Sequence, residues 1–238
     1  MKLFNLDSPL MQFLGKVADL LWLNTLALIC CIPIVTVGAS LTALHYMALK
    51  MVRDEECYIT KGFFKSFKEN FKQATLIWLM MLLVIVVLIV DFLIMGNSGL
   101  EFSRVIRIII TIFAVLVLFA SMYVFPMLAK FDNPIRRTIK NAFLVSIMQF
   151  PKTVLMVIIY MLPAVIFVLF LQVAPLVFFF GLSVPAFLSA KLYSKFFKKL
   201  EDQVLAEAEP VEADEEGEDE RIFRDELDES LLGEDGTN

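Results

Sequence analysis

Long uninterrupted runs of apolar residues constrain this chain more than any other feature of its sequence. A helix needs about 20 apolar residues to cross a hydrocarbon layer about 30 Å thick. Barrel strands are excluded because their lipid-facing and lumen-facing residues alternate. The sequence therefore predicts an all-α fold, a polytopic membrane helix bundle of about five transmembrane helices. The expected spans are Asp19–Val37, Ala74–Met95, Val105–Ala129, Thr153–Leu171 and the slightly short Ala174–Ala190.

The first apolar region continues past Pro33 and Gly38, so a sixth span is possible. A helix from Ala39 to Val52 would be about 21 Å long, which is short for a span. We expect it to lie at the interface or to be obliquely buried. If it crosses, the count becomes six and the N-terminus moves to the other side. A cleaved signal peptide is a further alternative, because Val37, Gly38 and Ala39 resemble a cleavage site.

Charge divides the chain into two parts. Residues 1–200 hold 19 Lys and Arg against 9 Asp and Glu, whereas residues 201–238 hold 2 against 17. A segment with so many acids and so few apolar residues does not bury enough surface to fold alone. We expect an integral membrane helical domain at 1–200 and an acidic, disordered cytoplasmic tail at 201–238. The tail either serves solubility or docks on a partner through Phe223, Leu227 and Leu231.

The basic residues of the short loops predict the orientation in the cytoplasmic membrane. Six lie in Lys50–Lys72, five in Lys130–Lys152 and four in Lys191–Lys199, whereas Gly96–Arg104 holds one. The basic loops and the C-terminus are therefore expected to be cytoplasmic. Five spans then place the N-terminus outside. The basic residues Lys2 and Lys16 argue against this position of the N-terminus.

A basic–aromatic stripe precedes the second expected span. On a helix at 100° per residue, Phe63, Phe64, Phe67, Phe71 and Trp78 share a sector of about 100° beside a row of lysines, with Ser66 beyond it. Such a cytoplasmic amphipathic helix is suited to the bilayer surface, with its lysines on anionic headgroups. The alternative is packing on other helices, and a nucleic acid partner is not expected. The stripe comprises Lys61, Phe64, Lys65, Phe67, Lys68, Phe71 and Lys72.

Few other polar groups lie within the expected spans. Asp91 and Arg107 flank a short connection, and we expect either an intramembrane ion pair or two charges that reach water. Asn24 lies deeper and is expected to bond to a neighbouring helix.

One histidine, His45, and three cysteines in no metal-binding pattern predict no metal and no cofactor. The sequence has no catalytic motif that would indicate an enzyme.

Three segments resemble the YesL family of bacterial membrane proteins, a family of unknown function. They are FNLDSPLMQFLGKVADLLWLN, IPIVTVGASLTALHYMALKMVRDEE and FFKSFKENFKQATLIW, within about the first eighty residues. YesL-like proteins are often encoded beside sugar-uptake transporters in Gram-positive bacteria. The resemblance implies a link to carbohydrate uptake and provides no catalytic residues.

Three functions remain open from the sequence. The first is an accessory or scaffold protein that contacts sugar-uptake transporter subunits. The second is a small membrane transporter or channel, which should have paired polar groups near the midplane and often internal repeats. The third is a membrane-anchored regulator whose acidic tail binds a cytoplasmic protein. The oligomeric state does not follow from the sequence.

Overall fold

The computed structural model describes residues 9–55, 58–97 and 104–206, and these residues form helices and short connections without strands. The chain divides into two compact units, one ending at Ser194 and one beginning at Lys195. Residues 195–206 of the second unit are helical. The expected tail after residue 206 lies outside the described residues. The helices are α1 Pro9–Cys31, α2 Val37–Val52, α3 Ile59–Asn97, α4 Arg104–Lys130, α5 Ile135–Met148, α6 Phe150–Leu169, α7 Ala174–Phe180 and α8 Ser183–Ala206.

Helices α1 and α2 form an antiparallel hairpin. The Ser40 hydroxyl donates to the Ala27 carbonyl at 2.9 Å, and Lys16 Nζ pairs with Asp54 Oδ1 at 2.6 Å. The first expected span, Asp19–Val37, was wrong at its end, because α1 stops at Cys31 before Pro33 and a short 3₁₀ turn follows. Since Lys16 and Asp54 meet, the start of α1 lies on the same face as the end of α2. This contact favours an N-terminus on the same side as the Lys50–Lys72 loop, and the side of the N-terminus stays a prediction.

Helix α2 is enclosed by other helices of the first unit and packs against α1, α3 and α4. Its residues Ala39, Ala43, Leu44 and Met47 have no exposed surface. The interfacial alternative for this helix was therefore wrong, because the small side chains near its start let neighbouring backbones approach closely. Gly38 leaves no room for a Cβ beside Ala74 and Trp78 of α3.

Helix α3 is one continuous helix of 39 residues, about 58 Å long at 1.5 Å per residue. It contains both the basic–aromatic stripe and the expected span Ala74–Met95. The expected turn between these two parts was wrong, because no Gly, Pro or break interrupts the hydrogen-bonded ladder from Lys65 to Ile94. The first half of α3 packs against α2, whereas side chains such as Leu83, Val87 and Leu93 are exposed on the second half.

The basic segment between the expected spans at Val105–Ala129 and Thr153–Leu171 is not only a loop. It contains the amphipathic helix α5, which follows α4 after four residues and packs against it. The Gln73 side-chain amide of α3 donates to the Asn133 carbonyl in the α4–α5 connection at 2.5 Å. Helix α5 was not predicted from the sequence because its apolar residues are too few to resemble a span.

The fifth expected span, Ala174–Ala190, is interrupted. Helix α7 ends at Phe180, α8 begins at Ser183, and the chain bends by 56° at this break. Five helices are long and apolar enough to cross a membrane, and the count is six if the bent segment is one span. The described residues therefore agree with a polytopic helix bundle of five or six spans.

Candidate functional site

A buried polar cluster joins three helices around His45 of α2. The Nδ1 atom of His45 lies 3.1 Å from the Tyr193 hydroxyl of α8, and Nε2 lies 3.0 Å from the Tyr160 hydroxyl of α6. The Ser189 hydroxyl lies 3.5 Å from the Tyr160 hydroxyl and donates to the Pro185 carbonyl at 2.6 Å. His45, Tyr193 and Ser189 are buried. We name His45, Tyr160, Tyr193 and Ser189 the histidine cluster.

The geometry of the histidine cluster limits its chemistry. A neutral imidazole has one donor and one acceptor nitrogen, so one tyrosine hydroxyl donates to His45 and the other accepts from it. Because both nitrogens face hydroxyls, neither is free for a metal ion. Among the described residues, no group of three or more His, Cys, Asp or Glu side chains could hold a metal. The arrangement can fix the relative rotation of three helices and can pass a proton between its hydroxyls.

The Asn24 side chain of α1 bonds to the backbone at the break between α7 and α8. Its Nδ2 donates to the Phe178 carbonyl at 2.8 Å. Its Oδ1 accepts from the backbone N–H of Leu182 at 2.9 Å and of Ser183 at 3.0 Å. Backbone groups at a helix break need partners where water is excluded. The expectation that Asn24 bonds to a neighbouring helix is confirmed, and the contacts show that it supports a broken helix.

The basic–aromatic stripe lies on α3 beside a face that packs against protein. Phe63 and Ser66 are buried, so the face of α3 beyond the lysine row packs against protein at Ser66. Phe64 and Phe71 are exposed on the same helix as the exposed lysines. The described geometry leaves this surface accessible to headgroups or to another protein, so lipid binding stays a prediction. The exposed lysines are Lys61, Lys65, Lys68 and Lys72.

Asp91 and Arg107 lie near the facing ends of α3 and α4. Arg107 is exposed and Asp91 is partly exposed. The Arg107 carbonyl accepts from the Thr111 hydroxyl at 2.8 Å. No ion pair joins these two side chains within the described part of the chain, and the connection between their helices includes residues outside the described ranges. Their pairing stays a prediction.

Two grooves lie between helices of the first unit. One, of about 310 Å³, lies between α6 and the α7–α8 segment, and apolar side chains such as Leu162, Val177 and Phe180 line it. The other, of about 580 Å³, lies between α4 and α5 and has Arg136 and Lys140 beside its apolar lining.

The sequence predicted a helix partner for Asn24 but none for His45, and the residues that contact these two side chains were not predicted. Tyr160, Tyr193 and Ser189 each carry a hydroxyl within an otherwise apolar helix, and such a hydroxyl needs a hydrogen-bond partner. That signal was available in the sequence. The sequence did not show which residue each hydroxyl contacts, because His45 and Tyr193 are 148 positions apart.

Residues 17–92 match the model of a protein family described as "Protein of unknown function, DUF624". This is the family that includes YesL. The match covers about a third of the chain, from α1 to α3, and contains Asn24, His45 and the basic–aromatic stripe. Tyr160, Tyr193 and Arg107 lie outside the matched segment. No curated protein and no solved structure matches the chain.

Proposed function

We propose that this chain is a multi-pass protein of the bacterial cytoplasmic membrane and acts as a non-enzymatic accessory or scaffold protein in carbohydrate uptake. One observation carries the accessory role. Polar side chains inside the helix bundle, such as His45, Asn24 and Ser40, bond to other helices and not to an open polar cavity. Groups used in this way hold helices together, whereas a transport path needs polar groups that a substrate can reach.

The link to carbohydrate uptake is supported by the resemblance of the first eighty residues to YesL-like proteins and by the DUF624 match over 17–92. Proteins of that kind are often encoded beside sugar-uptake transporters. The proposed partners are therefore the membrane subunits of such a transporter.

The α1–α2 hairpin supports a membrane orientation with both termini in the cytoplasm. The contact between Lys16 and Asp54 keeps the ends of the hairpin on one face, whether its helices cross the membrane or re-enter it. Helix α3 then crosses the membrane away from this face and α4 crosses back to it. Helix α6 and the α7–α8 segment form a second pair of this kind. The basic residues near Lys50–Lys72 support a cytoplasmic position for this common face.

The basic–aromatic stripe is proposed to contact anionic headgroups from that face. Each surface lysine near anionic lipid contributes on the order of 1 kcal/mol. Replacing Lys61, Lys65, Lys68 and Lys72 with Gln should weaken the protection of α3 from a soluble quencher in phosphatidylglycerol nanodiscs but not in phosphatidylcholine nanodiscs. Equal behaviour in both membranes would contradict this contact.

The accessory role is tested by crosslinking in native membranes. A photoreactive phenylalanine at Phe64, which is 39% exposed, should form adducts with sugar-transporter subunits. The adjacent Phe63 is fully buried, so the same probe there should yield only internal adducts. Adducts from Phe64 that contain only lipid, together with a monomeric chain in the same membranes, would contradict the scaffold role.

A small transporter is the second candidate, and the break between α7 and α8 favours it. Broken helices line the central sites of many transporters, because their ends offer backbone groups to a substrate. Proteoliposomes that contain only this chain should then take up a labelled sugar. Asn24→Ala should reduce the uptake, whereas Thr25→Ala, one residue away on α1, should not. No uptake by the wild-type chain would exclude this role for the sugar tested.

A further inference from the structure

The groove between α4 and α5 combines an apolar lining with two cations. Its volume is about 580 Å³, within the range of about 300–1,000 Å³ that is usual for small-molecule sites. Apolar side chains from both helices line it, including Phe113 and Ala120 of α4 and Ile139 and Phe143 of α5. Arg136 and Lys140 of α5 line the same groove.

The two cations are placed to bind one anion. Arg136 and Lys140 are four residues apart on α5, so they lie on the same helix face about 5–6 Å apart at their Cβ atoms. Both side chains are exposed, and neither forms an ion pair within the described part of the chain. Two uncompensated cations beside an apolar surface complement an amphiphile with an anionic head.

The positions of the cations and of the apolar side chains along the groove predict how a bound molecule is oriented. Four residues separate the end of α4 at Lys130 from the start of α5 at Ile135, and the two helices pack against each other, so the basic end of α5 lies toward the end of α4. Phe143 lies about 10 Å further along α5 than Arg136. Beyond it, Leu144 and Met148 are largely exposed. The surface therefore changes from cationic to apolar along one axis, as a phospholipid changes from phosphate to acyl chain.

We propose that this groove binds one anionic phospholipid. Its phosphate lies between Arg136 and Lys140, where charge-assisted hydrogen bonds hold it. An acyl chain follows the groove over Ala120 toward Phe113 and Phe143. The site is separate from the basic–aromatic stripe, which is on α3.

Native mass spectrometry of the full chain tests this proposal. The protein is released from nanodiscs that hold equal amounts of phosphatidylglycerol and phosphatidylcholine, and the retained lipid is counted. The wild-type chain should retain phosphatidylglycerol in preference to phosphatidylcholine. Arg136→Gln and Lys140→Gln should each weaken that binding about fivefold. Ala120→Phe, which fills the groove and keeps both charges, should lower the retention of either lipid.

A matched double variant separates the site from general surface charge. Arg137→Gln with Lys198→Gln removes the same charge from exposed positions that do not line the groove. Its lipid retention should equal that of the wild type, and helix content measured by circular dichroism should be unchanged in all variants. The proposal is overturned if this control loses as much lipid as Arg136→Gln with Lys140→Gln. It is also overturned if inorganic phosphate displaces the lipid, or if the wild type shows no preference.

Discussion

Gly38 of α2 lies so close to Trp78 of α3 that a Cβ at Gly38 would be 2.6 Å from the Trp78 Cβ. The Ala74 carbonyl oxygen would also be in the way, and a backbone atom in the middle of α3 does not move easily. The Trp78 indole N–H donates to the Ile34 carbonyl at 2.8 Å, which holds the start of the α2 segment against α3. This close approach explains how α2 becomes the most enclosed helix of the first unit.

Gly38→Ala is therefore expected to destabilise the protein. Overpacking in a close-packed interior costs about 1–3 kcal/mol, and the loss should appear as a lower unfolding temperature in detergent. Gly15 of α1 is the matched control, because nothing lies within 4 Å of a Cβ placed there. Gly15→Ala should be neutral or stabilising by up to about 1 kcal/mol, since alanine favours helices more than glycine. Equal effects of the two changes would contradict the close α2–α3 contact.

Asn24→Leu should destabilise the connection between α7 and α8. The change keeps a similar size but leaves the Phe178 carbonyl and the Leu182 and Ser183 N–H groups without the Asn24 side chain. A buried unsatisfied group costs about 1–3 kcal/mol. We expect a lower unfolding temperature and faster hydrogen exchange at the Leu182 and Ser183 amides.

Thr25→Val is the control for Asn24, because the Thr25 hydroxyl bonds only within its own helix, to the Leu21 carbonyl. It should leave exchange at Leu182 and Ser183 unchanged. If Asn24→Leu also leaves these two amides protected, Asn24 does not hold the break.

His45 and Tyr193 are expected to contribute to stability as a pair. Tyr193→Phe removes the hydroxyl that contacts His45 Nδ1, and His45→Leu removes the imidazole. A double-mutant cycle in detergent should give a coupling of about 0.6 kcal/mol, the average for hydrogen bonds between membrane helices. Tyr46→Phe, at the neighbouring position, should have no coupling with Tyr193→Phe. Additive effects of His45→Leu and Tyr193→Phe would mean that their contact contributes nothing.

The ends of the α1–α2 hairpin should be accessible from the same side of the membrane. Single cysteines at Lys16 and Asp54, in a chain without the native cysteines, should react with an impermeant thiol reagent from one face. A cysteine at Gly96, near the end of α3, should react from the opposite face. Labelling of Lys16 and Asp54 from opposite faces would restore the five-span arrangement with its N-terminus outside.

The sequence alone determined the class of this protein, because span length and helix period are local properties. The apolar runs from Ala74, Val105 and Thr153 each contain enough residues to cross a bilayer, and three of the described helices match them. The same reasoning identified Asn24 as a polar group that needs a partner on a neighbouring helix. It also placed the lysines of the basic–aromatic stripe on one face, since a helix repeats every 3.6 residues.

Only the tertiary structure decided how these elements are used. Helix α2 is short for a span, and its enclosed position depends on its packing against α1, α3 and α4, with Gly38 in close contact with α3. The bend between α7 and α8 is stabilised by Asn24, which is 154 positions before Phe178 in the chain. His45 likewise finds Tyr160 and Tyr193 on two later helices. Contacts at such separations depend on which helix faces meet, and the period of a single helix contains no information about its neighbour.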